Sequence, residues 1–158
     1  MPTYSEVKDI YIGLDENALL APPSTYRNEK PIVYYGHSIT QGGCASRPGY
    51  VYPSILSRWF HCDFINLGFS GSGRGEDTIA NYIASIKNVG AFVMDYDYNA
   101  PTLEHLINTH YKFYEILRKG NPLTPIIMIS SPNKEYKDQG EKRCEVIKNT
   151  YLKAKEQG

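Results

Sequence analysis

Three short stretches gather the residue types that acyl transfer or ligand binding needs. The first, Tyr35-Gly36-His37-Ser38-Ile39-Thr40-Gln41-Gly42-Gly43, sets a serine among glycines just past an apolar run. Glycines that permit a tight turn and a close approach are how a nucleophilic hydroxyl is exposed above a sheet. The GxSxG elbow is not met, since Gly36 and Ser38 fit but position 40 is threonine. Taken alone, the stretch reads more readily as a Ser/Thr turn satisfying its own backbone. The second stretch, Asn66-Leu67-Gly68-Phe69-Ser70-Gly71-Ser72-Gly73-Arg74-Gly75-Glu76, leaves backbone N–H groups free of side-chain cover, which suits a phosphate nest or an oxyanion hole. It fails the dinucleotide fingerprint, because Glu76 stands where GxGxxG wants glycine, and the P-loop, because Arg74-Gly75 replaces Lys-Ser/Thr. The third, Asp95-Tyr96-Asp97-Tyr98-Asn99-Ala100-Pro101, offers an amide and two carboxylates. Two carboxylates suit a metal, but the sequence supplies no third ligand at suitable spacing, so no metal is expected.

The elements around these stretches alternate. Short β-rich apolar runs at residues 32–35, 64–67, 91–94 and 126–129 are each followed by a segment of helical spacing, with Gly, Pro or Asn at the joins. The helices are expected near residues 52–61, burying Ile55, Leu56, Trp59 and Phe60, and near 78–87, burying Ile79, Ile83 and Ile86. A third follows Pro101 with Thr102 as N-cap and stops at Gly120-Asn121-Pro122. The last spaces Cys144, Ile147, Tyr151 and Ala154 at three and four residues, with Gly158 at the C′ position. Four βα units joined by right-handed crossovers predict an α/β fold, an open parallel sheet between two layers of helices. Residues 126–129, apolar throughout, suit a strand buried on both faces, so either this edge is covered or a fifth unit is wanting. In such sheets ligands bind at the carboxyl ends of the strands, where all three stretches fall.

Composition sets the outer bounds. A chain of 158 residues with 41% hydrophobic and 22% charged residues is one folded domain, not a disordered or low-complexity segment. Lys+Arg and Asp+Glu are equal at 17 each, so no net field draws the chain to nucleic acid or an anionic membrane. The apolar runs stop at four residues, far short of the roughly 20 a transmembrane helix needs. Residues 1–6 lack the basic and apolar regions of a secretory signal, and the compartment stays open. Cys44, Cys62 and Cys144, odd in number and widely spaced, read as buried free thiols rather than a disulfide framework or zinc site. Fourteen tyrosines, each apolar in body and polar at the tip, suit a half-buried surface or a polyol cleft. Residues 1–30, with Pro22-Pro23-Ser24 and a polar run, read as an extension or linker.

Jointly the three stretches resemble the blocks of the SGNH, or GDSL-type, serine hydrolases. Gly36-His37-Ser38-Ile39-Thr40-Gln41-Gly42 is similar to the first block, Asn66-Leu67-Gly68-Phe69-Ser70-Gly71 to the second, and Asn99 falls where the third places its asparagine. His37 replaces the aspartate of the GDSL name, and the third block lacks its usual glycine. The resemblance covers about residues 31–133, and Tyr11-Ile12-Gly13-Leu14-Asp15 looks like the tail of an N-terminal domain found in some carbohydrate-ester members. It implies a three-layer, flavodoxin-like SGNH hydrolase fold over residues 31–158, with four of five βα units visible. It further implies a serine ester hydrolase without cofactor: Ser38 is the nucleophile, and the Ser38 N–H, the Gly71 N–H and the Asn99 side-chain amide form the oxyanion hole. His37, Gly68 and Ser70 lie beside them as substrate-binding candidates, the substrate being a small ester or acylated carbohydrate.

The family's general base comes from a DxxH motif after a fifth strand, and no Asp in this chain precedes a His by three. Among the four histidines, His37 adjoins Ser38, His61 ends a helix where a cation suits the dipole, and His105 and His110 lie on the third helix. Structural roles are expected for each. The chain thus reads as most of an esterase site without its base, incomplete at its C-terminal end. Two other readings stand beside it: an acyl-sugar binding module with impaired turnover, and a flavodoxin-like protein whose Ser38-Ile39-Thr40 cradles the phosphate of FMN. Apolar surface beside the fourth strand leaves room for a homo-oligomer.

Overall fold

The computed structural model describes residues 3–131 and 139–157. The chain runs β1 (Asn28–Gly36), α1 (Ser38–Gln41), a 3-10 turn (Pro48–Tyr50), α2 (Tyr52–Phe60), β2 (Cys62–Gly68) and α3 (Asp77–Ser85). There follow β3 (Ala91–Asp95), a 3-10 turn (Asp97–Asn99), α4 (Leu103–Gly120), β4 (Ile126–Met128) and α5 (Gly140–Glu156). The four strands form one parallel sheet in the order β2-β1-β3-β4, the flavodoxin-like arrangement. Gly36 pairs with Gly68 on one side and with Asp95 on the other, so the first three strands end at one level. All three chemistry-bearing loops therefore leave the sheet side by side, where the strand order reverses.

Alternation along the strands divides the core. Val33, Tyr35, Phe92 and Met94 join partly buried Ile65, Leu67, Ile126 and Met128 in one cluster with side chains of α3, α4 and α5. On the opposite face Tyr34 meets Tyr52 of α2 edge-to-face at 5.5 Å. Helices thus cover both faces, as parallel sheets require. Helix α4 forms because Leu106, His110, Phe113, Tyr114 and Leu117 recur at three and four residues, and Thr102 caps it by accepting the His105 N–H at 3.1 Å. Gly120 ends it where a Cβ would stand 2.8 Å from the Ala84 carbonyl oxygen, so α3 and α4 lie close there.

Several expected faces turn out differently. In α2 the buried residues are Pro53 and Ser57, while Trp59 and Phe60 are exposed. The hydroxyl of Ser57 donates to the Cys62 carbonyl at 2.6 Å, and that bond, with Tyr52 on Tyr34, selects the inward face over the more apolar one. In α5 the buried set is Arg143, Ile147 and Thr150, and Tyr151 faces solvent. Polar partners decide here too: Thr150 meets His110 Nδ1 at 2.9 Å and Arg143 donates to the Asp97 carbonyl at 2.7 Å. The expected C′ residue, Gly158, lies outside the described residues, and Gln157 caps α5. Strand β4 spans three residues at the sheet edge with Ile127 half-exposed, so burial on both faces is not realised. The three cysteines are free thiols, but only Cys62 is buried; Cys44 is exposed and Cys144 intermediate. Strand β1 starts at Asn28, and residues 5–27 are exposed while Thr3 returns to pack on α1.

Candidate active site

Ser38 opens α1 immediately beyond β1, one residue after its N-cap His37. This short helix, absent from the sequence reading, sits tightly against the sheet. A Cβ on Gly68 would lie 2.2 Å from the Gln41 nitrogen, and one on Gly36 2.2 Å from Thr40 Oγ1, so both positions require glycine. Thr40 is fully buried and donates to Asp95 Oδ2 at 2.8 Å, and the Tyr52 hydroxyl donates to the same oxygen at 3.0 Å. Burial first, then Asp95, pushes the Tyr52 phenol far up, so it stays a donor. With its hydroxyl committed inward, Thr40 is not open to a phosphate, which counts against the FMN cradle. Among the described residues the partly buried Ser38 hydroxyl has no hydrogen-bond partner.

The second loop is held from three sides. Its Phe69 carbonyl accepts from the Asn99 side-chain amide at 2.9 Å and from the Ser72 and Gly73 N–H groups at 3.1 and 3.0 Å. The Ser70 N–H donates to Gln41 Oε1 at 2.7 Å. From beneath, the Tyr35 hydroxyl donates to Glu76 at 2.7 Å and accepts the Gly75 N–H at 2.8 Å. Gly71 is exposed at φ +69°, with open space where a Cβ would be. Asn99 has a second amide hydrogen beyond the one bound to Phe69. Gly68 lies buried against the α1 backbone and Ser70 is exposed. Next to Gln41, Gly68 and Phe69 opens a cleft of about 690 Å³, walled in part by Thr3 and Arg58.

The third loop carries Asp95 and Asp97 to the same place as His37. One ligand-capable atom from each lies within 4.8 Å of the others, so the structure supplies the third group that sequence spacing did not. Its chemistry is that of hydrogen bonds. His37 Nδ1 accepts the Ile39 N–H at 3.1 Å, and Nε2 lies 3.5 Å from Asp95 Oδ1. Metal-ligating histidines commonly donate from their other ring nitrogen, whereas Nδ1 here accepts. His37 is buried as a cap of α1 and its Nε2 is turned to the carboxylates. Its ring also packs 5.4 Å from that of Tyr98. Asp97 accepts from the Ser130 hydroxyl and the Ser131 N–H on one oxygen, while its other oxygen has no partner among the described residues.

None of the remaining histidines is presented to Ser38. His61 accepts the Arg27 N–H at 2.7 Å on Nδ1, so it serves the segment before β1. His105 Nε2 lies 2.8 Å from the Arg74 carbonyl, so it stays at the edge where the loops leave the sheet and braces the second loop. His110 is buried against Tyr96 and Thr150, and burial pushes its pKa down to about 4. Sequence reasoning missed Gln41, Tyr52 and Tyr35 as supports. The bonds by which they hold the two loops and Asp95 reach partners 29 to 43 residues away, beyond what local pattern can signal.

Glycine-lined loops meeting at the reversal point of a 2-1-3-4 parallel sheet define an α/β protein of the SGNH hydrolase type. More particularly, the chain belongs to the GDSL-like lipase/acylhydrolase family, whose model matches residues 29–155. A protein from Bacteroides ovatus ATCC 8483 assigned as a GDSL-like lipase is 32% identical, with a TM-score of 0.74 over 85% of this chain and 41% of its own. The salicylyl-acyltransferase SsfX3 of a tetracycline biosynthetic pathway shares the fold at 20% identity and TM-score 0.74, covering 92% of this chain and 44% of that one. A two-domain esterase active on acetylated mannans shares it at 16% identity and TM-score 0.57, covering 76% and 35%. The chain thus spans about two-fifths of the length of these structures. No curated protein matches it.

Proposed function

We propose that these residues form the acyl-transfer site of a serine esterase acting on small acyl esters, with acylated carbohydrate as the substrate class. The Ser38 oxygen attacks the ester carbonyl and its proton passes to a base. The carbonyl oxygen gains the negative charge, and the N–H groups of Ser38 and Gly71 and the free hydrogen of the Asn99 amide stabilise it. Collapse breaks the bond to the alcohol, which leaves with the proton, and water then releases the acid from Ser38. Each such fixed donor contributes about 3 kcal/mol to the transition state.

The observation that carries this reading is the Asn99 amide bonded to the Phe69 carbonyl. It joins the third block to the second at the strand-end edge where Ser38 opens α1, its hydroxyl without a partner among the described residues. Half-exposed Phe69 adds an aromatic surface for a sugar ring at the edge of the cleft. The acyltransferase and the mannan esterase among the similar folds are consistent with acyl chemistry on such a scaffold.

The base is the one part of the machinery that the four histidines do not bring to Ser38. The test is therefore hydrolysis of p-nitrophenyl acetate by the 158-residue chain and by the longest product its gene encodes, each beside Ser38→Ala. Turnover that Ser38→Ala abolishes supports the reading. Turnover that Ser38→Ala leaves intact sinks it, and binding of an acylated sugar with no turnover in either form favours a binding module instead.

A further inference from the structure

The proposed oxyanion donor Gly71 lies in an exposed loop, and an open loop is a poor place to hold an N–H in fixed aim. The peptide unit just before it is nevertheless gripped at both ends. Its carbonyl, from Phe69, accepts from the Asn99 amide at 2.9 Å and from two N–H groups of its own turn. Its N–H, from Ser70, donates to Gln41 Oε1 at 2.7 Å. A peptide unit is planar, so fixing its two ends fixes its plane, and only the Ser70 ψ and φ angles separate that plane from the Gly71 N–H.

Gln41 is suited to this grip by its own supports. It ends the helix that Ser38 begins, so the nucleophile and the grip ride on one turn. Gly68 lets that turn rest on β2 at contact distance. Its amide orientation is set from the far side, because Nε2 donates to the Thr3 carbonyl at 3.0 Å. Thr3 lies outside the matched family region of residues 29–155, and the Tyr4 hydroxyl reaches the Ser38 carbonyl at 3.4 Å. The Ser70 N–H selects the amide oxygen and the Thr3 carbonyl selects the amide nitrogen, so a flip would set donor against donor at one end and acceptor against acceptor at the other.

We propose that Gln41 is a positioning residue of the acyl-transfer site. It clamps the Phe69–Ser70 peptide opposite Asn99, holds the Gly71 N–H in aim, and is itself oriented by the N-terminal segment at Thr3. The role in turnover rests on the Ser38 reading above; the clamp itself does not.

The test uses the full chain, in whichever form is active, with Gln41→Met, which keeps length and removes both bonds, and Gln41→Glu, which keeps the acceptor for Ser70. Hydrogen exchange of the Ser70 amide, followed by NMR, reads the clamp directly. We expect Gln41→Met to speed that exchange about tenfold or more. It should lower kcat about tenfold with KM little changed, since the donor acts in the transition state. The melting temperature should hardly move, and Gln41→Glu should recover protection and most of the turnover. Equal Ser70 exchange in wild type and Gln41→Met overturns the clamp whatever the activity does. Altered exchange with unaltered kcat overturns its role in turnover. Activity that survives Ser38→Ala instead defeats the esterase reading, and the Ser70 amide then judges the clamp alone.

Discussion

The turn that carries Ser38 and the loop that carries Gly71 are held by different means. The first is set into the fold: Gly36 and Gly68 admit no Cβ, Thr40 is fully buried, and Asp95 gathers hydroxyls from Thr40 and Tyr52. The second rests on side chains reaching exposed backbone, from Gln41, Asn99 and His105, with Tyr35 below. Bonds of the buried kind are costly to leave unmade, whereas those at the surface exchange with water at little cost. The position of the proposed nucleophile therefore belongs to the stability of the domain, and the aim of the proposed oxyanion donors belongs to a few removable contacts. Changes in the first region should appear as loss of fold, and changes in the second as loss of rate.

The largest effect is expected at Gly68. A methyl group there meets the backbone of Gln41 and Thr40, which cannot move without lifting α1 from the sheet. Gly68→Ala should cost about 3 kcal/mol and appear as a lower denaturation midpoint, with activity lost alongside. A variant of normal stability would show that α1 is less firmly set than the contrast demands. Asn99→Ala is the complementary case. It should lower kcat of the active form about 10²- to 10³-fold, since an oxyanion donor is lost. Its stability should fall by no more than about 1 kcal/mol, the worth of an exposed hydrogen bond. A large drop in melting temperature would erase the distinction between the two regions.

The difference between the regions also marks how far the sequence could be read. The strands at 32–35, 64–67 and 91–94, the Thr102 cap and the order of the three loops follow from local pattern, and the structure holds all of them. Local pattern offers a serine, glycines and an amide at strand ends, and it is the resemblance to the family that singles out Ser38, Gly71 and Asn99 among them. What escaped depends on partners far along the chain. Trp59 and Phe60 give α2 an apolar face that stays in solvent, since Ser57 is tied to Cys62 and Tyr52 to Tyr34. The burial of Arg143 and Thr150 needs the Asp97 carbonyl and His110, and the meeting of His37 with both carboxylates needs strands β1 and β3 to be neighbours. Helical periodicity ranks faces by hydrophobicity and is blind to a polar partner 40 or more residues away.

The smallest predicted effect probes what both regions share. Tyr96 fills the space where a Cβ on Gly75 would stand, and its ring packs 5.5 Å from both Tyr35 and His110. His110 thus lies behind the second loop and the third together. Burial lowers its folded pKa to about 4 from an ordinary value of 6.5, so the folded protein keeps it neutral where the unfolded chain would protonate it. The unfolded state then binds more protons between about pH 6.5 and pH 4, and stability falls as the pH drops through that window. Between pH 6.5 and pH 5 the loss from this one group is about 2 kcal/mol. His110→Gln, which retains a polar partner for Thr150, should be less stable than wild type at pH 7 yet lose less between pH 6.5 and pH 5. Denaturation midpoints at the two pH values measure the difference, and equal slopes for both proteins would mean that His110 is protonated in the fold. About a pH unit above 6.5 the group is largely neutral in both states, so a comparison of Gly68→Ala with Asn99→Ala made there is undisturbed by acid weakening from this source.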